Sequence, residues 1–174
     1  VRRKYDERKM IVGFVGKLSV LKGVLHLLKA IPIVINQLPH AKFVFIGSIG
    51  DPTVAKALRK TSELYETSIK HLPSVPHGHM PPHYNSMMLL VLPSYTEGFP
   101  HVVLEALACG TPVLTTKVGE FAETVEKNAI GFIITSRNPE SLANQIVSLL
   151  RRRDLLSEVS ARSAVWVRQN ISYE

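Results

Sequence analysis

The sequence predicts an α/β fold, with a parallel sheet carrying helices on both faces, and three observations point to it. Short apolar runs without polar alternation, such as Met10–Val15 and Met88–Leu92, have the length and makeup of strands buried on both sides. Segments with apolar residues at helical spacing separate these runs, so strand and helix alternate along the whole chain. Glycine-bearing loops follow two of the runs, at Gly16–Gly23 and Tyr95–Pro100, where a parallel sheet would bring them to one edge. The expectation is one Rossmann-like, doubly wound domain over residues 1–174, with no internal repeat.

Taken in order, residues 1–9 are charged and patternless, as in a linker. Met10–Val15 is the first strand. After the Gly16–Gly23 loop, Val24, Leu27, Leu28 and Ile31 mark a helix that Pro32 is expected to kink or end. Ala41–Gly47 is the second strand, Gly47–Pro52 a turn-rich loop, and Thr53–Tyr65 a helix. Ser68–Leu72 is a short third strand. A Pro- and His-rich loop leads from it into a short helix at Pro82–Met87. Met88–Leu92 is the next strand, bounded by Pro93. The helix after it starts at Pro100, whose missing N–H is not needed in a first turn, and stops at Gly110 with Pro112 beyond. Pro112–Thr115 is a strand, Lys117–Val125 a turn and short helix, and Gly131–Ile134 the last strand. Asn138 caps a helix from Pro139 with Leu142, Ile146, Leu149 and Leu150 on one face. Asp154–Asn170 is a further amphipathic helix.

Composition narrows the class. With 174 residues, 45% apolar and 20% charged, the chain can bury one sizeable core and is not of the disordered type. Its formal charge of +7 favours an anionic partner without separating nucleotide, nucleic acid and membrane. The single cysteine, Cys109, allows no internal disulfide and reads as a small buried apolar residue, which suits a reducing compartment. No run has the length of a transmembrane helix. A cytoplasmic setting is expected, with the inner membrane surface as its alternative. The chain opens on Val1 and ends at Asn170–Glu174 without a stop signal, so it is read as part of a longer protein.

The chemistry concentrates after the Met88–Leu92 strand. A strand, loop and helix in succession leave unpaired N–H groups and a positive dipole end facing the loop, a seat for a phosphate. Two carboxylates are placed oddly there. Glu97 lies on the loop, ahead of Gly98, which eases an unusual turn. Glu105 lies inside a helix whose other positions are nearly all apolar, so it needs a partner, and a ligand hydroxyl would serve. The alternative is a narrow exposed stripe formed by His101, Glu105 and Cys109.

Glu97 and Glu105, seven residues between them and set in P-S-x-x-E-G-F-P-x-V-x-L-E-A-x-A-C-G-x-P-V, resemble the E-x7-E signature of retaining glycosyltransferases. More narrowly, the stretch is similar to the GT-B enzymes called glycosyltransferases group 1, family 4. The resemblance implies one half of a GT-B fold, the donor-binding half, with the acceptor-binding N-terminal domain elsewhere in the same chain. Gly16-Lys17-Leu18 to Lys22-Gly23 likewise resembles the family's G-R-L-x-x-x-K-G element, whose two cations grip the donor diphosphate. Lys17 stands where arginine is usual; it keeps the charge and loses the planar two-pronged grip. Val118 stands in place of the first glycine of the family's G-G-x-x-E-x-V turn, and Glu123 is read there as a cap or ion-pair partner.

What the resemblance implies for the site follows residue by residue. Lys17, Lys22 and Glu97 are the catalytic candidates. Donor contacts fall to Gly16, Gly98, Phe99, Pro100, His101, Val102 and Glu105, with Ser74 and Val75 near the base. Glu105 would accept from the ribose hydroxyls, and Glu97 would lie by the sugar. The donor is a UDP- or GDP-linked hexose, the acceptor a glycan or a lipid-linked molecule, and no further cofactor is implied. Retention would proceed by same-face attack with no protein nucleophile, and this chain alone would transfer little or nothing.

Three features invite other readings. His77, His79 and His83 have a spacing that suggests zinc, but no cysteine or carboxylate joins them locally, so no metal is expected. Arg151–Arg153 suits a helix C-terminus and reads as a solvated end, with peripheral contact to an anionic membrane as the alternative. No nucleic-acid-binding motif is visible, and none is expected as a partner. The rival functions are another GT-B-like nucleotide-sugar enzyme, such as an epimerase, and a non-catalytic basic domain that binds anions.

Overall fold

The structure is a computed structural model and describes residues 9–97 and 101–171, leaving aside the side chain of residue 120. Six parallel strands form one sheet: β1 (Ile11–Val15), β2 (Lys42–Ile46), β3 (Ile69–Leu72), β4 (Leu89–Leu92), β5 (Val113–Thr115) and β6 (Phe132–Ile133). Their order across the sheet is β3-β2-β1-β4-β5-β6. All four residues of β4 are buried, as are four of the five in β1, the arrangement that continuous apolar runs require.

The helices are α1 (Val24–Gln37), α2 (Pro52–Leu64), α3 (Met80–Ser86), α4 (His101–Ala108), α5 (Glu120–Lys127), α6 (Pro139–Arg151) and α7 (Arg153–Asn170), with a 3-10 turn at His77–His79. One group packs α1 against α2 and α6; another packs α4 against α3 and α7. Right-handed crossovers put the helices that follow β1 and β2 on one face and those that follow β4 and β5 on the other. The direction of travel across the sheet therefore reverses between β1 and β4. Loops leaving those two neighbours diverge at the carboxyl edge and open a crevice there.

The predicted elements are all present, with ends shifted by a residue or two. Asp51 caps α2 by accepting from the Val54 amide at 2.9 Å, and Asn138 caps α6 by accepting from the Glu140 amide at 3.0 Å. Of the kink or early end expected at Pro32, the early end does not occur. Helix α1 runs through it without ending, although an interior proline costs about 3 kcal/mol. Val24, Leu27, Leu28, Ile31 and Val34 of the same helix are buried, and each such side chain contributes about 1.5–3 kcal/mol, so packing outweighs the break. Helix α3 also begins earlier than expected, at Met80. Pro81 and Pro82 fit in its first turn because amides there have no intrahelical acceptor. Cys109 is half-buried against the core rather than fully enclosed.

No helix among the described residues is long and apolar enough to cross a membrane. Arg151 lies in the last turn of α6, where its charge complements the helix dipole.

Candidate functional site

The crevice between β1 and β4 is built by two loops fastened to each other. After β1 the chain does not turn away at once. Leu18 pairs in parallel with Ile49 of the loop after β2, through Leu18 N–H to the Ser48 carbonyl at 2.8 Å and Gly50 N–H to the Leu18 carbonyl at 2.7 Å. Asp51, besides capping α2, accepts from the Val20 amide at 3.0 Å. The chain then turns back, Lys22 N–H donating to Ser19 and Gly23 N–H to Val20. Gly23 has φ +70°, and a β-carbon there would lie 2.0 Å from the Pro93 carbonyl oxygen. Across the crevice, the Tyr95 amide donates to the Leu21 carbonyl at 2.9 Å. Only glycine permits that close approach.

This clasp brings Lys22 to Glu97, 75 positions away in sequence. Lys22 Nζ lies 2.8 Å from Glu97 Oε2, with the carboxylate side chain 13% exposed. The other oxygen, Oε1, accepts from the Ser94 hydroxyl. Ser94 is fully buried, and its carbonyl accepts from Thr116 Oγ1 at 2.7 Å and from the Arg137 guanidinium at 3.2 Å. The Arg137 guanidinium also lies over the Tyr95 ring at 4.3 Å, and the Tyr95 hydroxyl shares a hydrogen bond with the His26 ring. Burial, followed by the charges of Lys29 and Arg137, lowers the His26 pKa. Val15, Gly16, Lys22, Leu92, Glu97, His101 and Val102 together line the cavity at this end.

A second cavity of about 450 Å³ shares the wall formed by Val15, Gly16 and Val102, so the two adjoin. That volume lies within the range of small-molecule sites. Lys17, Ser74, Val75, His77, Tyr84 and Glu105 are among its lining residues. Glu105 projects from α4 into it with a side chain 26% exposed. Its Oε2 accepts from the Tyr84 hydroxyl at 2.7 Å, and its Oε1 stands 3.6 Å from Nδ1 of the exposed His77. The Tyr84 ring is buried, and its hydroxyl pKa is raised, first by that burial and then by the hydrogen bond to Glu105. Tyr84 therefore keeps its proton and donates.

The sequence-derived residues sort clearly. Gly16, Lys22, Glu97, His101 and Val102 meet at one end of the crevice; Gly16, Lys17, Val102, Glu105, Ser74 and Val75 meet at the other. Lys17 and Lys22 thus line adjoining cavities rather than one, on either side of Gly16. Gly98, Phe99 and Pro100 lie outside the described residues. Glu105 is not part of a solvated stripe: it faces the cavity and has Tyr84 as a partner, so the ligand hydroxyl that its burial called for is not its only satisfaction. Tyr84 and Ser94, the two hydroxyls that hold the carboxylates, were missed, since no local pattern links either to its acceptor's role. His77, whose spacing with His79 and His83 suggested zinc, lines this cavity. Among the described residues no three His, Cys, Asp or Glu side chains stand together as a metal site. Lys117 pairs with Glu126 at 2.7 Å, while Glu123 adds to the field that raises the Lys117 pKa, behind the Glu126 hydrogen bond and charge.

With this geometry in view, the similarity to known proteins is informative. The family described as "Glycosyl transferases group 1" matches residues 2–165. The chain belongs to that family. Among curated relatives, the D-inositol 3-phosphate glycosyltransferase of Segniliparus rotundus is 31% identical over 148 residues, which is 83% of this chain and 33% of that protein. An uncharacterized glycosyltransferase of Methanocaldococcus jannaschii is 35% identical over 144 residues, 79% of this chain and 35% of that protein. The chain therefore spans about a third of the length of these relatives. Among solved structures, sucrose-phosphate synthase from Thermosynechococcus elongatus superposes with a TM-score of 0.78 at 26% identity, covering 95% of this chain and 42% of that one. The group 1 chain has the Rossmann-like α/β architecture found in GT-B glycosyltransferases.

Proposed function

We propose that this chain is the donor-binding domain of a retaining glycosyltransferase that moves a hexose from a UDP- or GDP-linked donor to a glycan or lipid-linked acceptor. One observation carries the reading: a single crevice at the switch point of the sheet holds a lysine and a carboxylate at one end and a second, hydroxyl-pinned carboxylate at the other. A nucleoside diphosphate sugar has matching parts, with a dianionic centre flanked by two sugars.

In this reading Lys22 neutralises the diphosphate as the bond from the anomeric carbon breaks and its electron pair passes to the departing phosphate. Fixed charge placed where charge develops is usually the largest catalytic contribution. Lys17 adds a second cation from the adjoining cavity. The first amides of α4, at His101 and Val102, donate to the phosphates at the positive end of the helix dipole. Glu105 accepts from the ribose hydroxyls, with Ser74 and Val75 towards the base. Glu97 lies by the transferred sugar. In this reading it does not act as a nucleophile, since Glu105 serves the far end of the donor, unlike the two flanking carboxylates of a retaining glycosidase. Same-face attack by the acceptor hydroxyl gives retention. Acceptor contacts fall to an N-terminal domain of the same protein.

The test is a titration of the ¹⁵N-labelled chain with UDP and GDP. The expected result is perturbation of the His101, Val102 and Lys22 amides by at least one of the two. Signals there that stay unmoved by both would reject the site.

A further inference from the structure

The two carboxylates are held alike through one oxygen, but only Glu105 is held by a ring locked in the core. Tyr84 is 1% exposed, and its carbonyl accepts from both the Met87 amide at 3.0 Å and the buried Thr111 hydroxyl at 2.6 Å. Thr111 follows the C-terminal end of α4, so this bond ties α3 to the helix that carries Glu105. Neither the Tyr84 backbone nor its ring can drift relative to α4 without breaking a buried contact. The hydroxyl consequently occupies a fixed point 2.7 Å from Glu105 Oε2.

We infer that Tyr84 is a positioning residue, whose hydroxyl fixes the Glu105 carboxylate so that Oε1 faces the crevice and discriminates ribose from deoxyribose in the bound nucleotide. The inference rests on the donor-binding reading above. Glutamate has three rotatable bonds, and a half-exposed one in water spreads over several rotamers. A carboxylate pinned at one oxygen loses most of that freedom before any ligand arrives, which leaves less ordering for the ligand to impose. Among the described residues, the other oxygen has only His77 nearby, at 3.6 Å and beyond hydrogen-bond range, and His77 is 83% exposed. A ligand hydroxyl can therefore take the place beside Oε1 without breaking a protein hydrogen bond. A site built to receive a hydroxyl rejects the analogue that lacks it, because the acceptor is then desolvated and unpaired.

The test compares UDP and GDP with their 2′- and 3′-deoxy counterparts and with inorganic pyrophosphate, on the unmodified chain and on Tyr84→Phe. The unmodified chain should prefer the ribonucleotide over at least one of the two deoxy forms by about ten-fold or more. Tyr84→Phe keeps the ring and should bring that ratio below about three-fold while leaving pyrophosphate affinity unchanged. Glu105→Gln should lower the ratio as well, and adding Tyr84→Phe to it should lower it no further. A ratio preserved in Tyr84→Phe, or pyrophosphate binding lost in parallel, overturns the inference and leaves the donor site standing. No preference for ribose in the unmodified chain overturns the role of Glu105 and this inference with it. A second measurement needs no substitution: with 3-fluorotyrosine incorporated, the ¹⁹F signal of Tyr84 should move on adding the ribonucleotide and not with the rejected deoxy form. A signal that responds equally to both overturns it too.

Discussion

The Glu97 end and the Glu105 end of the crevice are built from the same parts and left in different states. Each carboxylate accepts a hydroxyl from a buried residue, Ser94 for one and Tyr84 for the other. At the Glu97 end the remaining oxygen is already matched, because Lys22 stands 2.8 Å away. At the Glu105 end the remaining oxygen has, among the described residues, only an exposed imidazole at 3.6 Å. An anion reaching Lys22 must compete with a carboxylate, whereas a hydroxyl reaching Glu105 Oε1 breaks no hydrogen bond made by the described residues. One end is a neutralised pair to be divided, and the other is an acceptor held ready.

The substitution expected to act most strongly is Lys22→Ala. In the full-length protein it should lower transfer about a hundred-fold, more than it lowers donor affinity, as befits loss of a charge that meets the leaving group. Loss of donor affinity with kcat unchanged, measured over a donor titration, would turn Lys22 into a binding residue only. Glu97→Gln sharpens the contrast and should act with the opposite sign on binding. Glutamine can still accept from Ser94 but no longer neutralises the lysine, and a partly exposed ion pair is worth about 0.2–1 kcal/mol. Pyrophosphate and UDP should then bind up to about five-fold tighter by calorimetry while transfer falls. Weaker binding would mean that Glu97 orients Lys22 rather than competing with its ligand.

The smallest effect concerns pH. His26 sits behind the Glu97 loop on Tyr95, and its pKa is lowered by burial and then by Lys29 and Arg137. With the folded value below the unfolded one, the unfolded chain binds the proton more readily, so stability rises with pH through this window. The contribution is present above the ordinary histidine range near pH 6.5 and is lost as pH falls towards the folded value. Thermal midpoints compared at pH 7.5 and 5.5 should fall slightly less for His26→Gln than for the unmodified chain. An identical fall would show that His26 plays no part.

Much of this was open to reading from the sequence, for physical reasons that differ by residue. Continuous apolar runs dictate parallel strands, and parallel strands put the Gly16–Gly23 and Tyr95–Pro100 loops, with Lys22 and Glu97, at one edge; the ion pair itself depends on the clasp between the loops. Glu105 stood out as a charge in an apolar helix. Tyr84 did not, since its contact with Glu105 joins two helices whose approach depends on how α3 packs, and a tyrosine beside two prolines and a histidine has no spacing that announces it. Ser94 was visible inside the motif, but its role depends on burial from Thr116 and Arg137, both distant in sequence. Pro32 does not end the helix because a local rule about backbone bonds says nothing of the side chains that hold the helix down. The separation of Lys17 from Lys22 is set by the pairing of Leu18 with Ile49, which no periodicity encodes.

The join between the two loops has a further implication. With the Tyr95 amide bonded to Leu21 and no room for a methyl group at residue 23, the rim of the crevice is stitched on its lysine side. The Tyr95–Leu21 bond and the close Gly23–Pro93 approach hold the two loops against each other along that seam. A bulkier residue at position 23 would therefore disturb both walls at once.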